Sequence, residues 1–186
     1  MSGDIVHQTT EQIEAGLDHV KASPSDHGTL ELIVQRPGED MRVVLGQAEL
    51  NPEEGLAGDT WNQRGSKRTE DGGPHPDMQL NIMNSRILAQ LAGSPERMAL
   101  AGDQLIVDLD LSDENLPAWT KLAIGDAVIE VTDQPHNGCA KFTQRFGLDA
   151  HRFVNSDLGK QLHLRGINAR VVTPGTIRQG DTIRKI

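Results

Sequence analysis

The sequence predicts a mainly β protein, a barrel or sandwich with a few short helices and one added helix at the N-terminus. Three observations predict it. Stretches rich in Val, Ile and Leu recur at residues 30–35, 41–50, 104–109, 127–132, 168–173 and 181–186. Irregular loops, with little helical periodicity, separate them. The dipeptide Gly-Asp stands at 58, 102, 125 and 180, and glycine placed first suits a hairpin or tight corner, above all at 125 and 180.

In chain order, Thr9 and Gln12 form a capping box, Ile13, Leu17 and Val20 follow at helical spacing, and Ser23-Pro24 stops the helix. The chain therefore divides into an N-terminal helical extension, 1–27, and a β-barrel domain, 28–186. The segments 30–35 and 41–50 form a hairpin around the turn cluster Arg36-Pro37-Gly38-Glu39-Asp40. From Gly58 to Asn81 no periodicity is visible, and structureless loops beyond about 12–15 residues are usually functional or disordered. This stretch holds Arg64, Lys67, Arg68 and His75, a basic patch that suits a phosphate or oxyanion. The plain alternative is a solvated loop.

Residues 84–91 read as a helix with Ile87, Leu88 and Leu91 on one face and Gly93 as its stop, and Ser94-Pro95-Glu96 opens a short turn. Asp108, Asp110, Ser112 and Asp113 form an acidic surface loop. A calcium loop needs Gly at its sixth and Glu at its twelfth position, where Asp113 and Trp119 stand.

The stretch QPHNGCAKFTQRFG, 134–147, holds the only cysteine, Cys139. Pro135 and Gly138 predict a tight turn over 136–138, and a two-turn helix follows over 140–146, closed by Gly147 in a left-handed cap. Phe142 and Phe146 share its buried face, with Lys141 and Arg145 nearer solvent. Cys139 at the helix start, near His136 and Lys141, suits a nucleophilic thiolate. The alternative is a small buried hydrophobe. Beyond it, Asp149 can cap a helix over 150–155, 158–164 is ambiguous, and Arg152, Lys160, Arg165 and Arg170 make the tail basic.

Composition bounds the function. The 186 residues, 36% apolar and 24% charged, suit one soluble domain. No apolar run approaches the roughly 18 residues of a membrane helix, and the first ten residues carry no signal peptide. A single cysteine excludes an internal disulfide and suits a reducing compartment, so a cytoplasmic protein without membrane association is expected. A net charge of −9 and 3% aromatic residues argue against nucleic-acid binding. There is no Walker loop, GxGxxG, GxSxG or HExxH. His136 and Cys139 have metal-like spacing, but a structural zinc needs a second pair. His75, His151 and His163 are the other candidate nitrogen ligands.

HNGCAKFTQRFG, followed by HRFVNSDLGKQLHLRG, resembles the MOSC domain, named for the C-terminal domain of molybdenum-cofactor sulfurases. Gly58-Asp59, Gly72-Gly73 and Asp77-Met78-Gln79-Leu80-Asn81 resemble its first signature, although Thr60-Trp61 replaces the usual basic residue or histidine after Gly-Asp. The segment from Gly102-Asp103-Gln104-Leu105 to Gly125-Asp126 resembles the lead into the strand before the cysteine. The resemblance covers roughly 28–186 and implies a MOSC-type β-barrel. It implies two roles for Cys139: a persulfide that delivers sulfur, or a thiolate ligand to molybdenum beside a bound pyranopterin. A sulfur transferase or a molybdenum-dependent oxidoreductase would follow. His136 and Lys141 would polarise the thiol. Arg64, Lys67, Asp77, Gln79, Asn81, Arg145 and Arg165 would contact a molybdopterin-type ligand. The sulfur donor would be a partner such as a cysteine desulfurase, and pyridoxal phosphate would enter only through a partner. The competing class is a non-catalytic module for a small anion or a protein, with an incidental cysteine.

Overall fold

The computed structural model describes residues 6–186, so the first five residues of the expected extension lie outside it. Eleven strands are present among the described residues: β1 (Gly28–Gln35), β2 (Val43–Leu45), β3 (Gln47–Asn51), β4 (Gly55–Leu56), β5 (Leu80–Asn84), β6 (Leu105–Asp108), β7 (Lys121–Ile124), β8 (Ala127–Val131), β9 (Ile167–Thr173), β10 (Gly175–Arg178) and β11 (Thr182–Lys185). Seven of them close into a barrel in the order β1-β6-β5-β9-β8-β7-β11, with β11 returning to β1. β1 serves three partners, β11 at its start, β6 along its length and β2 at its end, and its register with β6 slips between Leu30 and Leu32. A small sheet, β10-β3-β4, adds Leu50, Leu56 and Ile177 to the barrel core.

Among the described residues the only parallel pair is β5 with β6. Parallel neighbours need a long crossover, supplied here by α3 (Ser85–Ala92), α4 (Pro95–Met98) and a 3₁₀ turn, Ala99–Ala101. Alternation along the strands makes two cores. Leu80 and Ile82 of β5, with Leu105 and Val107 of β6, point into the barrel. Met83 and Ile106 point outward, against the helices. Those helices include α1 (Thr10–Ala15), α2 (Leu17–Lys21), α5 (Ala140–Phe146) and α6 (Leu148–Val154), with α7 (Asp157–Gln161) following.

The Thr9–Gln12 capping box is formed, and Ile13, Leu17 and Val20 are buried. The predicted single helix is broken at Gly16, where Gln90 Nε2 donates to the Gln12 carbonyl at 2.7 Å. The predicted strand 41–50 is broken at Gly46 into β2 and β3, which belong to different sheets. The glycines at 58, 102, 125 and 180 have positive φ, 75°, 86°, 53° and 93° in chain order. The helix over 140–146 is present, but Gly147 (φ 94°, ψ 165°) is not a left-handed cap and leads straight into α6. Asp149 therefore lies inside α6, and its carboxylate accepts the Thr10 N–H at 3.1 Å. The acidic loop is only partly at the surface: Asp108 pairs with Arg86, and Ser112 is buried. No helix among the described residues is long and apolar enough to cross a membrane.

Candidate functional site

The 3₁₀ turn that ends the crossover leaves three consecutive carbonyls bare, and each accepts from a different arginine. Arg145 Nη1 reaches Leu100 O at 2.8 Å, Arg165 Nη2 reaches Ala101 O at 3.2 Å, and Arg36 Nη1 reaches Gly102 O at 2.9 Å. Arg42 completes the group. A Cβ on Gly102 would lie 3.3 Å from Arg42 Nη2, so glycine leaves the room that guanidinium occupies. Arg36 is buried and forks onto Asp59, Nε to Oδ2 and Nη2 to Oδ1, both at 2.8 Å. Asp59 also accepts the Trp61 N–H at 2.9 Å, so Trp61 opens a short turn and brings no charge of its own.

Charge in this cluster is unbalanced. Arg36 faces Asp59, Arg145 faces Asp40 and Arg165 faces Asp103. Arg42 and Arg64 have no carboxylate ion-pair partner among the described residues, and both have lowered pKa values. Burial is the main cause for each; the Arg42 value is lowered further by Arg145, Arg36 and Arg64, and the Arg64 value by Arg36. Arg42 Nε and Arg165 Nε are buried without an acceptor. A site short of acceptors and of negative charge suits an oxyanion.

Asp103 is buried and accepts from two sides: Arg165 Nη1 at 2.7 Å, and His136 Nε2 at 2.8 Å. Burial, the largest single influence, pushes its pKa up, but Arg165 and His136 together outweigh it and hold the carboxyl at about 2. Burial and Arg165 lower the pKa of His136. The Arg165 guanidinium lies over the Phe142 ring at 4.8 Å, which ties α5 to this pair.

The loop 134–139 has no tight turn. It runs in irregular backbone, held where Asn155 of α6 accepts the Gly138 N–H at 3.0 Å. Cys139 follows it, exposed, with no hydrogen bond from its side chain to the helix it precedes. The neighbours expected to polarise the thiol are engaged elsewhere. His136 is turned to Asp103, and Lys141 Nζ lies 3.1 Å from Asp40 and 3.6 Å from Glu39. Arg145, expected nearer solvent, is largely buried between Leu100 O and Asp40.

Of the remaining candidates, Arg64 joins the cluster and bonds Thr60 Oγ1 at 2.8 Å. Lys67 is exposed, without an ion pair among the described residues. Asn81 accepts from Arg36 Nη1 at 3.0 Å and so borders the cluster. Gln79 does not: its Nε2 donates to Pro52 O and its Oε1 accepts from Val171 N–H, both at 2.8 Å, so it braces strands. Asp77 is likewise taken, by Arg170 at 2.9 Å. The sequence reading missed Arg36, Arg42 and the role of the two buried aspartates. The available signal was Gly-Asp at 58 and 102, whose carboxylates no hairpin turn uses. Among the described residues no three His, Cys, Asp or Glu side chains gather to hold a metal. His136 and Arg165 also border a cavity of about 510 Å³ whose lining includes none of Arg36, Arg42, Arg64, Arg145 or Cys139.

A seven-stranded barrel with one cysteine on the loop leading away from β8, and an arginine cluster at the end of the crossover between β5 and β6, defines a small cysteine-bearing barrel class. Residues 75–184 match the family model described as MOSC domain, and the chain belongs to that family. The match begins after the stretch from Gly58 to Gly73. Similar solved structures include the YuaD protein from Bacillus subtilis, with 16% identity, TM-score 0.58, and 84% of this chain and 93% of that chain covered. YiiM from Escherichia coli is 22% identical, TM-score 0.54, over 85% and 69%. YiiM from Geobacillus stearothermophilus is 14% identical, TM-score 0.51, over 88% and 74%. These likenesses are of fold. No curated protein matches the sequence.

Proposed function

We propose that this MOSC protein binds a phosphate-bearing pyranopterin of the molybdenum-cofactor class in the arginine cluster, with Cys139 as the soft ligand to its metal. What supports the reading is the surplus of guanidinium charge: among the described residues Arg42 and Arg64 form no ion pair, Asp40 and Asp59 act on them only from a distance, and Arg42 Nε and Arg165 Nε lack acceptors. The donor set fits such a group, since guanidinium N–H forks suit phosphate and a thiolate suits a soft metal. When bound, the group supplies redox chemistry at its metal, making the protein a small oxidoreductase. Arg42 and Arg64 would hold the anion, Arg36 and Arg145 would fix the turn beside it through the Gly102 and Leu100 carbonyls, and the exposed Cys139 leaves its sulfur free to ligate.

The test is metal and pterin analysis of protein from a host that makes the cofactor. We expect molybdenum and pterin near one per chain, metal lost in Cys139→Ser, and pterin lost in Arg42→Ala or Arg64→Ala. Protein that carries neither would overturn the reading.

The exposure of Cys139 favours a second reading, sulfur transfer. Its thiolate attacks the outer sulfur of a donor persulfide, the donor leaves as a thiolate, and Cys139 carries the new persulfide. The donor would be a cysteine desulfurase holding the pyridoxal phosphate, in the reducing cytoplasm. A mass gain of about 32 Da on Cys139 after incubation with such a donor, one added sulfur, tests it.

A further inference from the structure

The cavity beside His136 shares Arg165 with the arginine cluster but none of its other guanidinium groups. Leu116, Val131, Val154 and Ile167 line its apolar part, and Thr132, Gln134 and Asn137 add polar side chains. Its charged groups are matched or lie at the surface. Arg165 faces Asp103, and His163 sits between Leu111 O at 2.7 Å and Asp113 at 3.1 Å, while Lys160 is exposed. About 510 Å³ falls within the usual range for a small-molecule site, roughly 300–1,000 Å³.

Two polar atoms of the cavity's buried and half-buried side chains are without a protein partner among the described residues, Arg165 Nε and His136 Nδ1. The Nε2 edge of His136 is turned inward: Nε2 lies 2.8 Å from Asp103 Oδ1, and Cδ2 lies 3.1 Å from where a Gly166 Cβ would stand. That leaves Nδ1 without a protein partner among the described residues. The buried set Arg165, Asp103 and His136 balances one positive against one negative charge only if the imidazole is neutral. With Asp103 accepting at Nε2, the proton belongs there and Nδ1 is a bare acceptor.

We propose that this cavity binds an uncharged small molecule with an apolar, ring-sized body and one N–H or O–H that donates to His136 Nδ1, with Asp103 and Arg165 as positioning residues that fix the tautomer. The Arg165–Asp103 and His163–Asp113 pairs favour an uncharged ligand over an anion, and the apolar part of the lining favours a ring-sized body. The site stands whether or not the arginine cluster takes a pterin.

The experiment is side-chain nitrogen NMR of the ¹⁵N-labelled full chain at neutral pH, with phenol as the neutral donor probe and benzoate as its anionic counterpart. We expect His136 to carry its proton on Nε2. Millimolar phenol should move the Nδ1 resonance saturably, with benzoate weaker, and Ala118→Trp at the half-buried rim should weaken phenol binding by at least about tenfold without changing the tautomer. Asp103→Asn should change the tautomer balance. If that variant fails to fold, the wild-type tautomer and the rim variant decide. A proton on Nδ1, no saturable phenol shift, or a phenol shift that survives Ala118→Trp would overturn the proposal.

Discussion

At the scale of single residues, the site is a set of buried ion pairs with a few surface ones attached. Arg36→Ala or Arg165→Ala would leave Asp59 or Asp103 as an unpaired buried carboxylate, and should cost about 3–5 kcal/mol of stability in urea denaturation. Lysine would recover little, because it cannot fork onto a carboxylate as arginine does. Lys141→Ala removes only an exposed pair and should cost less than about 1 kcal/mol. The pH dependence follows from the lowered pKa of His136, caused by burial and Arg165 against the pull of Asp103. An unfolded chain binds that proton near its ordinary 6.5, whereas the folded protein binds it only at lower pH. Stability should therefore decline as pH falls below about 6.5, since the unfolded state then holds more protons. Asp103, at about 2 against 3.8 when free, adds a second loss between those values. A urea midpoint that stays level from about pH 7 to 5 would contradict the first part. Cys139 was legible as a candidate because it is unique, and the structure leaves it exposed. Arg36 was not, because an arginine before Pro-Gly reads as a turn, and only tertiary packing brings Asp59 to it.

At the scale of elements, α5 connects the cysteine loop to the rest of the fold. Phe142 and Phe146 are buried with ring centroids 4.9 Å apart, and Arg97 lies over Phe146. Phe146→Ala should cost about 3–5 kcal/mol. Asn155→Ala is the finer probe: it removes the acceptor of the Gly138 N–H. We expect a loss of about 1 kcal/mol and faster hydrogen exchange at Gly138, with little change in the barrel amides. The limits of α5 were readable, since its apolar residues fall four apart between Gly138 and Gly147. β5 was hidden, because Asn81 and Asn84 interrupt the apolar pattern: Asn81 bridges Arg36 to Asn168, and Asn84 caps α3. β7 and β10, four residues each, are too short to show a period.

At the scale of the whole molecule, closure depends on β11 lying between β1 and β7. Ending the chain after Gly180 would remove β11, leave two bare strand edges and expose Leu30 and Ile124. We expect such a protein to bind a hydrophobic dye and to lose its single cooperative transition, measured by circular dichroism. The barrel class was legible from the recurring short apolar runs. The strand order was not, because pairing partners such as Thr29 and Thr182 lie nearly the whole chain apart.

That separation sets a timetable for biosynthesis. A ribosome adding roughly 5–20 residues per second needs about 8–30 s to pass from the first barrel strand to the last. Throughout that interval β1 offers Leu30, Ile33 and an open edge to any neighbouring nascent chain. The arginine pairs with Asp59 and Asp103 can form earlier, but the wall around them cannot close until Lys185 is made. A chain released before Lys185 is made would thus keep the barrel open, in a form fit for a chaperone or a protease, and not for a ligand.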